Sequence, residues 1–169
     1  MSPCNRIREA ISVIGLKIAC LWYPACDSMV AIPRLLREIG SDLGFQVPEK
    51  ERRICIDRQL RVYYKPDVMW LTDGSCSTLF EFEPRFQPKK ALSAMLLASR
   101  MPMRREKLSL IFVVLKGKAS RRSQIANLQR FLDKNGVIDS SLNVGLLEIS
   151  SPIKKKIVRK EILRQISKI

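Results

Sequence analysis

The stretch YYKPDVMWLTDGSCSTLFEFEP, residues 63–84, decides most of what the sequence predicts about the fold. Apolar and alternating runs that are typical of β-strands lie on either side of the turn-forming sequence Thr-Asp-Gly-Ser at 72–75, so the stretch predicts a β-hairpin. It also places three acids, Asp67, Glu81 and Glu83, in segments that otherwise have the pattern of buried strands. A buried carboxylate is costly unless it is paired or binds a metal ion.

The three acids are predicted to meet at one end of this hairpin. Side chains alternate between the two faces of a strand, so Glu81 and Glu83 are expected on the face that carries Leu79, opposite the neighbouring phenylalanines. Asp67 precedes the first strand, and a hairpin brings the start of its first strand beside the end of its second. Oxygen ligands suit Mg²⁺ or Mn²⁺, which can polarise a scissile phosphate and activate water. The sequence therefore predicts a metal site here.

Helical and extended patterns alternate along the rest of the chain. Apolar residues at helical spacing predict helices over 6–20, 28–43 (with Pro33 in the first turn), 89–99, 121–134 and 152–169. Short apolar or alternating runs predict further strands over 54–56, 60–64, 108–115 and 142–149. The run LSLIFVVL at 108–115 is typical of a central strand that is covered on both faces. This order predicts an α/β fold with a mixed central sheet flanked by helices on both faces.

The length and composition indicate one domain. The chain has 169 residues, 46% of them hydrophobic, and no internal repeat or linker. Within a single 1–169 domain we expect an N-terminal helical extension (1–27), an α/β core (28–150) and a basic C-terminal helix (151–169). No run of about 18 apolar residues predicts a membrane span. We therefore expect no membrane partner and an intracellular, cytoplasmic protein, associated with the nucleoid if the source is prokaryotic.

The charge is strongly positive and uneven. The formal net charge is +15, and residues 84–169 contain twenty Lys/Arg against five Asp/Glu, whereas residues 1–83 contain eleven of each. Such an excess favours a polyanionic partner, most simply nucleic acid, over a merely soluble basic protein. A homodimer or a larger nucleoprotein complex also fits. The clustered residues predicted to contact DNA are Arg104, Arg105, Lys118, Arg121, Arg122, Lys154, Lys155 and Lys156.

The residue types that are missing restrict the chemistry. The sequence contains no histidine, which excludes Ser-His-Asp and Cys-His triads and every mechanism with a histidine general base. Five cysteines form no CxxC pair, so a zinc site is not predicted. Any catalysis must depend on carboxylates, lysines and a metal ion.

The motifs resemble those of a known family over residues 28–149. The PD-(D/E)XK, or restriction-endonuclease-like, nuclease superfamily shows a similar succession of KPD (65–67), LFEFEP (79–84), an apolar helix and a buried strand (108–115). The resemblance implies a restriction-endonuclease-like fold and an endonuclease that needs Mg²⁺ or Mn²⁺. It also implies that Asp67 and Glu81 bind the metal ion, and that Glu38 is the acid that many members carry on the preceding helix.

Glu83 departs from the pattern of the superfamily. Most members have a lysine at this position, although some carry glutamate and others have a lysine on the following helix, where Lys89 and Lys90 are available. By this resemblance Glu83 completes the metal shell through water or orients the nucleophile. Lys89 or Lys90 then stabilises the negative charge that develops in the reaction.

The predicted function is a divalent-metal-dependent DNA endonuclease with a role in restriction, recombination, repair or a mobile element. Two alternatives stay open. One is a catalytically inactive nucleic-acid-binding protein with a nuclease-like fold. The other is a basic architectural or regulatory protein in which the acids are incidental.

Overall fold

A computed structural model describes residues 24–84, 86–116, 122–138, 141–150 and 153–166, with the backbone alone for 24–30. The predicted helix over 6–20 lies outside the described residues, as do Lys118 and Arg121. The helices are α1 (Pro24–Asp42), α2 (Pro88–Ser99), α3 (Arg122–Lys134) and α4 (Lys155–Ile166). The strands are β1 (Ile54–Asp57), β2 (Val62–Tyr64), β3 (Val68–Thr72), β4 (Ser75–Glu83), β5 (Arg104–Leu115) and β6 (Leu142–Ile149).

Four strands form a mixed sheet in the order β3-β4-β5-β6. β3 and β4 are the antiparallel arms of the predicted hairpin, and β5 and β6 are added parallel to β4. β1 and β2 pair with each other as a separate antiparallel ribbon. The prediction of an α/β fold with a mixed sheet is confirmed.

Helices cover both faces of the sheet. On one face α1 and α4 pack against a core that contains Trp70 and Phe80. On the other face α2 and α3 pack against a core that contains Leu79 and Phe112, joined by residues of the β1–β2 ribbon. Residues 108–114 of β5 are all buried, which confirms that this apolar run is a central strand.

The first described helix differs from the prediction in where it begins. It begins at Pro24, so Pro33 lies inside the helix and not in its first turn. Proline cannot donate the backbone hydrogen bond of the helix at that point, which costs stability. Burial of Ile32, Leu36 and Ile39 against the sheet offsets this loss. The predicted end is confirmed, because Gly44 follows the helix with a φ of 85°.

Parallel pairing aligns the carboxyl ends of three strands along one edge of the sheet. Glu83 of β4 pairs with Val114 of β5, and Leu115 of β5 pairs with Ile149 of β6. Each of these strands is followed by a helix, so α2, α3 and α4 all begin at this edge, which we call the carboxyl edge. In open α/β sheets ligands bind at this edge.

Among the described helices, none is both long and apolar enough to cross a membrane.

Candidate active site at the carboxyl edge

Asp67 and Glu81 meet where β3 begins and β4 ends. The register pairs Val68 with Phe80, so the next positions outward along the two strands are Asp67 and Glu81. Asp67 Oδ2 accepts a hydrogen bond of 2.7 Å from the backbone N–H of Phe82. Because Phe82 lies between Glu81 and Glu83, this bond holds the Asp67 carboxylate against the acidic end of β4.

Glu81 and Glu83 project from the face of β4 that the sequence predicts. Leu79 is buried in the core under α2, and Phe80 and Phe82 are buried in the core on the opposite face. The two glutamates line an open cleft of about 420 Å³ between the end of β4 and the start of α2. Other side chains that line this acidic cleft include Tyr64, Lys65, Lys89 and Lys90.

Tyr64 positions the Glu81 carboxylate. Its ring is buried in the core, and its hydroxyl donates a hydrogen bond of 2.7 Å to Glu81 Oε1. Burial and the neighbouring Glu81 charge raise the pKa of this hydroxyl well above its ordinary value, so it stays a donor. The sequence gives no signal for the partner of this hydroxyl, which lies 17 residues away.

Burial and neighbouring negative charges disfavour the ionised forms of Asp67 and Glu81. Burial is the main cause that raises the pKa of Glu81 to about 7; the charges of Asp67 and Glu83 raise it further, and the Tyr64 hydrogen bond opposes them. Burial also raises the pKa of Asp67, against the opposing hydrogen bond from Phe82, and the charge of Glu51 adds to the rise. Such groups gain from a nearby cation or a proton, and clustered shifts of this kind are typical of functional sites.

Lys90 forms an ion pair with Glu83 across the cleft. Lys90 Nζ lies 2.9 Å from Glu83 Oε1, and this hydrogen bond raises the pKa of the lysine. Lys89 lines the same cleft with an exposed side chain. Of the two lysines that the sequence offers, Lys90 is therefore the one held against the acids.

Glu38 contacts a different set of charges. Its carboxylate lies 3.2 Å from Arg34 and 3.6 Å from Lys155, and Lys155 lies 2.9 Å from Asp42. These contacts join α1 to the start of α4. The structure thus places Glu38 and Lys155 in an ion-pair group between two helices, whereas Asp67 and Glu81 meet at the strand ends.

Asp67 lines a small recess of its own, together with Arg37 and Glu51 among others, whereas Glu81 and Glu83 line the acidic cleft. Arg37 donates a hydrogen bond of 3.2 Å to the backbone carbonyl of Asp67, which fixes the main chain there. Within the described part of the chain, no three Asp, Glu or Cys side chains are grouped as a metal site. A metal ion at this place would depend on two carboxylates completed by water and substrate.

The predicted DNA-contacting residues divide between opposite edges of the sheet. Arg104 and Arg105 begin β5, ten residues before Val114, which is about 33 Å along a strand from the edge that carries the acids. Arg104 donates to Ser141, and Arg105 pairs with Asp73, each at 2.7 Å. The sequence places these arginines next to the central strand, but it does not tell which end of the sheet they occupy.

The other described members lie at the carboxyl edge. Arg122 begins α3 and is 3.7 Å from Glu148 and 3.6 Å from Glu161. Lys154 and Lys156 are exposed at the start of α4. This edge therefore combines the acidic cleft with surrounding positive charge.

No family model, no curated protein and no solved structure matches this chain.

Proposed function

We propose that the chain is a divalent-metal-dependent DNA endonuclease that hydrolyses phosphodiester bonds, with the restriction-endonuclease-like arrangement of the PD-(D/E)XK superfamily. One observation carries the proposal. Asp67 and Glu81 come from adjacent strand ends, and Glu81 lines an open cleft together with the Glu83–Lys90 pair. The exposed Lys154 and Lys156 at the start of α4 add positive charge to the same edge of the sheet and suit a polyanionic substrate.

The residues of the cleft fit Mg²⁺ or Mn²⁺. The fit rests on two partly buried carboxylates whose pKa values are raised, because a divalent cation would stabilise their ionised forms. Asp67 and Glu81 would hold the ion, each with an oxygen besides the one that accepts the hydrogen bond from Phe82 N–H or from the Tyr64 hydroxyl. Two carboxylates completed by water and phosphate is a common Mg²⁺ arrangement. When bound, such an ion would supply Lewis-acid polarisation of the phosphate and a lower pKa for an attacking water.

The surrounding residues have supporting roles. Tyr64 fixes the orientation of Glu81 through its hydroxyl. Lys90 places a positive charge at the mouth of the cleft, where it binds a phosphate oxygen and stabilises charge that develops there. Glu83 holds Lys90 in this position. The roles of Asp67, Glu81 and Lys90 are thus those that the superfamily resemblance implies.

One observation favours a second candidate, a nucleic-acid-binding protein of the same fold that does not cleave. The Glu83–Lys90 ion pair neutralises the lysine that would otherwise face the substrate. If this pair persists when DNA binds, the cleft keeps its shape but Lys90 is not free to bind the phosphate. Binding would then remain without turnover.

A plasmid-nicking assay with Mg²⁺ or Mn²⁺ tests the proposal. The informative variants are Asp67→Asn and Glu81→Gln, and the matched control is Glu106→Gln, an exposed acid near the start of β5. We expect wild type and control to nick, and the two site variants to lose activity by roughly 100-fold or more while they still retain DNA.

Metal binding gives an independent readout. Titration with Mn²⁺ followed by calorimetry is expected to show a site in the wild type and in Glu106→Gln that both site variants lack. Salt-sensitive DNA binding with no nicking under any metal condition would support the second candidate. Nicking that survives both Asp67→Asn and Glu81→Gln would exclude this cleft as the active site.

A further inference from the structure

The ribbon formed by β1 and β2 is the most concentrated basic segment in the first half of the chain. Residues 50–65, which we call the basic hairpin, contain six Lys/Arg and two acids. The overall charge balance of residues 1–83 conceals this cluster, because most acids of that half lie elsewhere. The basic members are Lys50, Arg52, Arg53, Arg58, Arg61 and Lys65.

The tip of the basic hairpin presents its charges to solvent. Arg58, Gln59, Leu60 and Arg61 are all exposed, and Leu60 retains 75% of its accessible surface. Asp57 Oδ1 accepts a hydrogen bond of 2.9 Å from the backbone N–H of Leu60, which closes the turn. Among the described residues, neither of these two arginines has an acidic partner. The tip thus has a defined shape and unneutralised charge.

The base of the basic hairpin is fixed to the wall of the acidic cleft. Ile54 and Tyr64 pair across the ribbon and are buried in the core beside α2. Tyr64 and the next residue, Lys65, line the cleft itself. Arg61 is three residues from Tyr64, or about 10 Å along a strand, which is close to the roughly 12 Å width of a B-DNA major groove. A duplex with its backbone at the cleft therefore has a major groove within reach of the tip.

The outer face of the ribbon adds a second ordered cation. The Arg53 guanidinium lies 4.0 Å from the centre of the Tyr63 ring, and Tyr63 is 40% exposed. This stacking holds the arginine on the ribbon surface without neutralising its charge. Arg53 is thereby available to a phosphate of the backbone beside the groove.

We infer that the basic hairpin enters the major groove of a DNA duplex whose backbone occupies the acidic cleft, with Arg58 and Arg61 at the groove floor; this rests on the proposed function. A two-stranded ribbon fits the major groove of B-DNA, and arginine and glutamine are side chains that bind base edges there. The major groove of duplex RNA is too deep and narrow for side chains to read. The partner is therefore double-stranded DNA.

The test compares duplex binding by charge-matched double variants in EDTA, followed by fluorescence anisotropy. The hairpin variant combines Arg58→Ala with Arg61→Gly, which removes both side chains, and glycine tolerates the φ of 53° at position 61. The control combines Arg130→Gln with Lys134→Gln, two exposed residues in the second half of α3, away from the carboxyl edge. Thermal melts of both variants establish that each is folded.

We expect the hairpin variant to raise the Kd for a 20-base-pair DNA duplex at least tenfold, roughly the effect of losing one good base contact. The control, which loses the same charge, is expected to change the Kd by no more than about threefold. On a duplex RNA of the same sequence the two variants should behave alike. Equal effects of both variants on DNA would overturn the inference, and so would equal losses by the hairpin variant on DNA and RNA.

Nicking by the same proteins separates this inference from the proposed function. If wild type fails to nick but the hairpin variant loses DNA binding, the basic hairpin is a DNA contact and the proposal of endonuclease activity is wrong. If wild type nicks and the hairpin variant binds DNA as the control does, the proposal of endonuclease activity is supported and the inferred DNA contact of the hairpin is wrong. Failure of the wild type to bind duplex DNA at all would overturn both.

Discussion

Replacement of Glu81 by glutamine tests whether the acidic cleft is strained when no metal ion is bound. Burial, together with the charges of Asp67 and Glu83, raises the pKa of Glu81 to about 7. Glutamine keeps a carbonyl oxygen that accepts the hydrogen bond from Tyr64, but it carries no charge. We therefore expect the change that removes metal binding to make the metal-free protein more stable.

The size and direction of the effect follow from the pKa shift. An unfolded glutamic acid titrates near its ordinary value of 4.5, so the folded protein holds this proton more tightly than the unfolded chain does. The resulting stability is fully present below about pH 4.5 and is lost as the pH rises through about 7. The gain from Glu81→Gln is therefore expected to be close to zero at pH 4 and to grow to about 3 kcal/mol at pH 8.

Urea denaturation in EDTA at pH 4, 6 and 8 measures this free energy of unfolding. Tyr64→Phe is the companion variant, because it deprives the buried Glu81 Oε1 of its donor and raises the pKa of Glu81 further. Its loss of stability is expected to be larger at pH 8 than at pH 4. A gain from Glu81→Gln that does not change with pH would refute the electrostatic explanation, and a loss of stability at pH 8 would do the same.

Two further predictions concern packing and catalysis. Gly40→Ala places a Cβ in overlap with the indole nitrogen of the fully buried Trp70, so we expect a net loss of about 1–3 kcal/mol in a urea titration despite the better helix propensity of alanine. A gain in stability would show that the indole can move. Lys90→Gln is expected to slow plasmid nicking at least tenfold while Lys89→Gln has little effect, because of these two lysines Lys90 is the one held beside the acids. Equal effects would show that proximity to Glu83 does not decide which lysine acts in catalysis.

The strands and the faces of their side chains could be predicted because the pattern around the hairpin is unambiguous. Phe80 and Phe82 lie on one face of β4, and Leu79 lies on the other face together with Glu81. This assignment of faces buries the three apolar side chains and leaves Glu81 at the cleft. The start of α1 was predicted wrongly because Pro33 suggests a first turn. Burial of the helix face overrides that local signal.

The missed features depend on long-range geometry. Tyr64 and Glu81 are 17 residues apart, and the hydrogen bond between them needs the β1–β2 ribbon to pack beside the sheet. The position of Arg104 likewise needs the strand order, because residues before and after a parallel strand occupy opposite edges of the sheet. The basic hairpin was missed for a simpler reason, since charge averaged over half of the chain hides a local cluster.

The strand directions explain why the acids, the lysine and the ribbon meet at one edge. β3 runs antiparallel to β4, so the start of β3 at Asp67 adjoins the end of β4 at Glu81. β5 runs parallel to β4, so the chain must cross back through α2, and the first turn of α2 brings Lys90 over the same edge. A slip of one residue in the register of β4 would turn Glu81 toward the core under α1 and would expose a phenylalanine. The apolar residues that fix this register therefore also fix the acidic cleft.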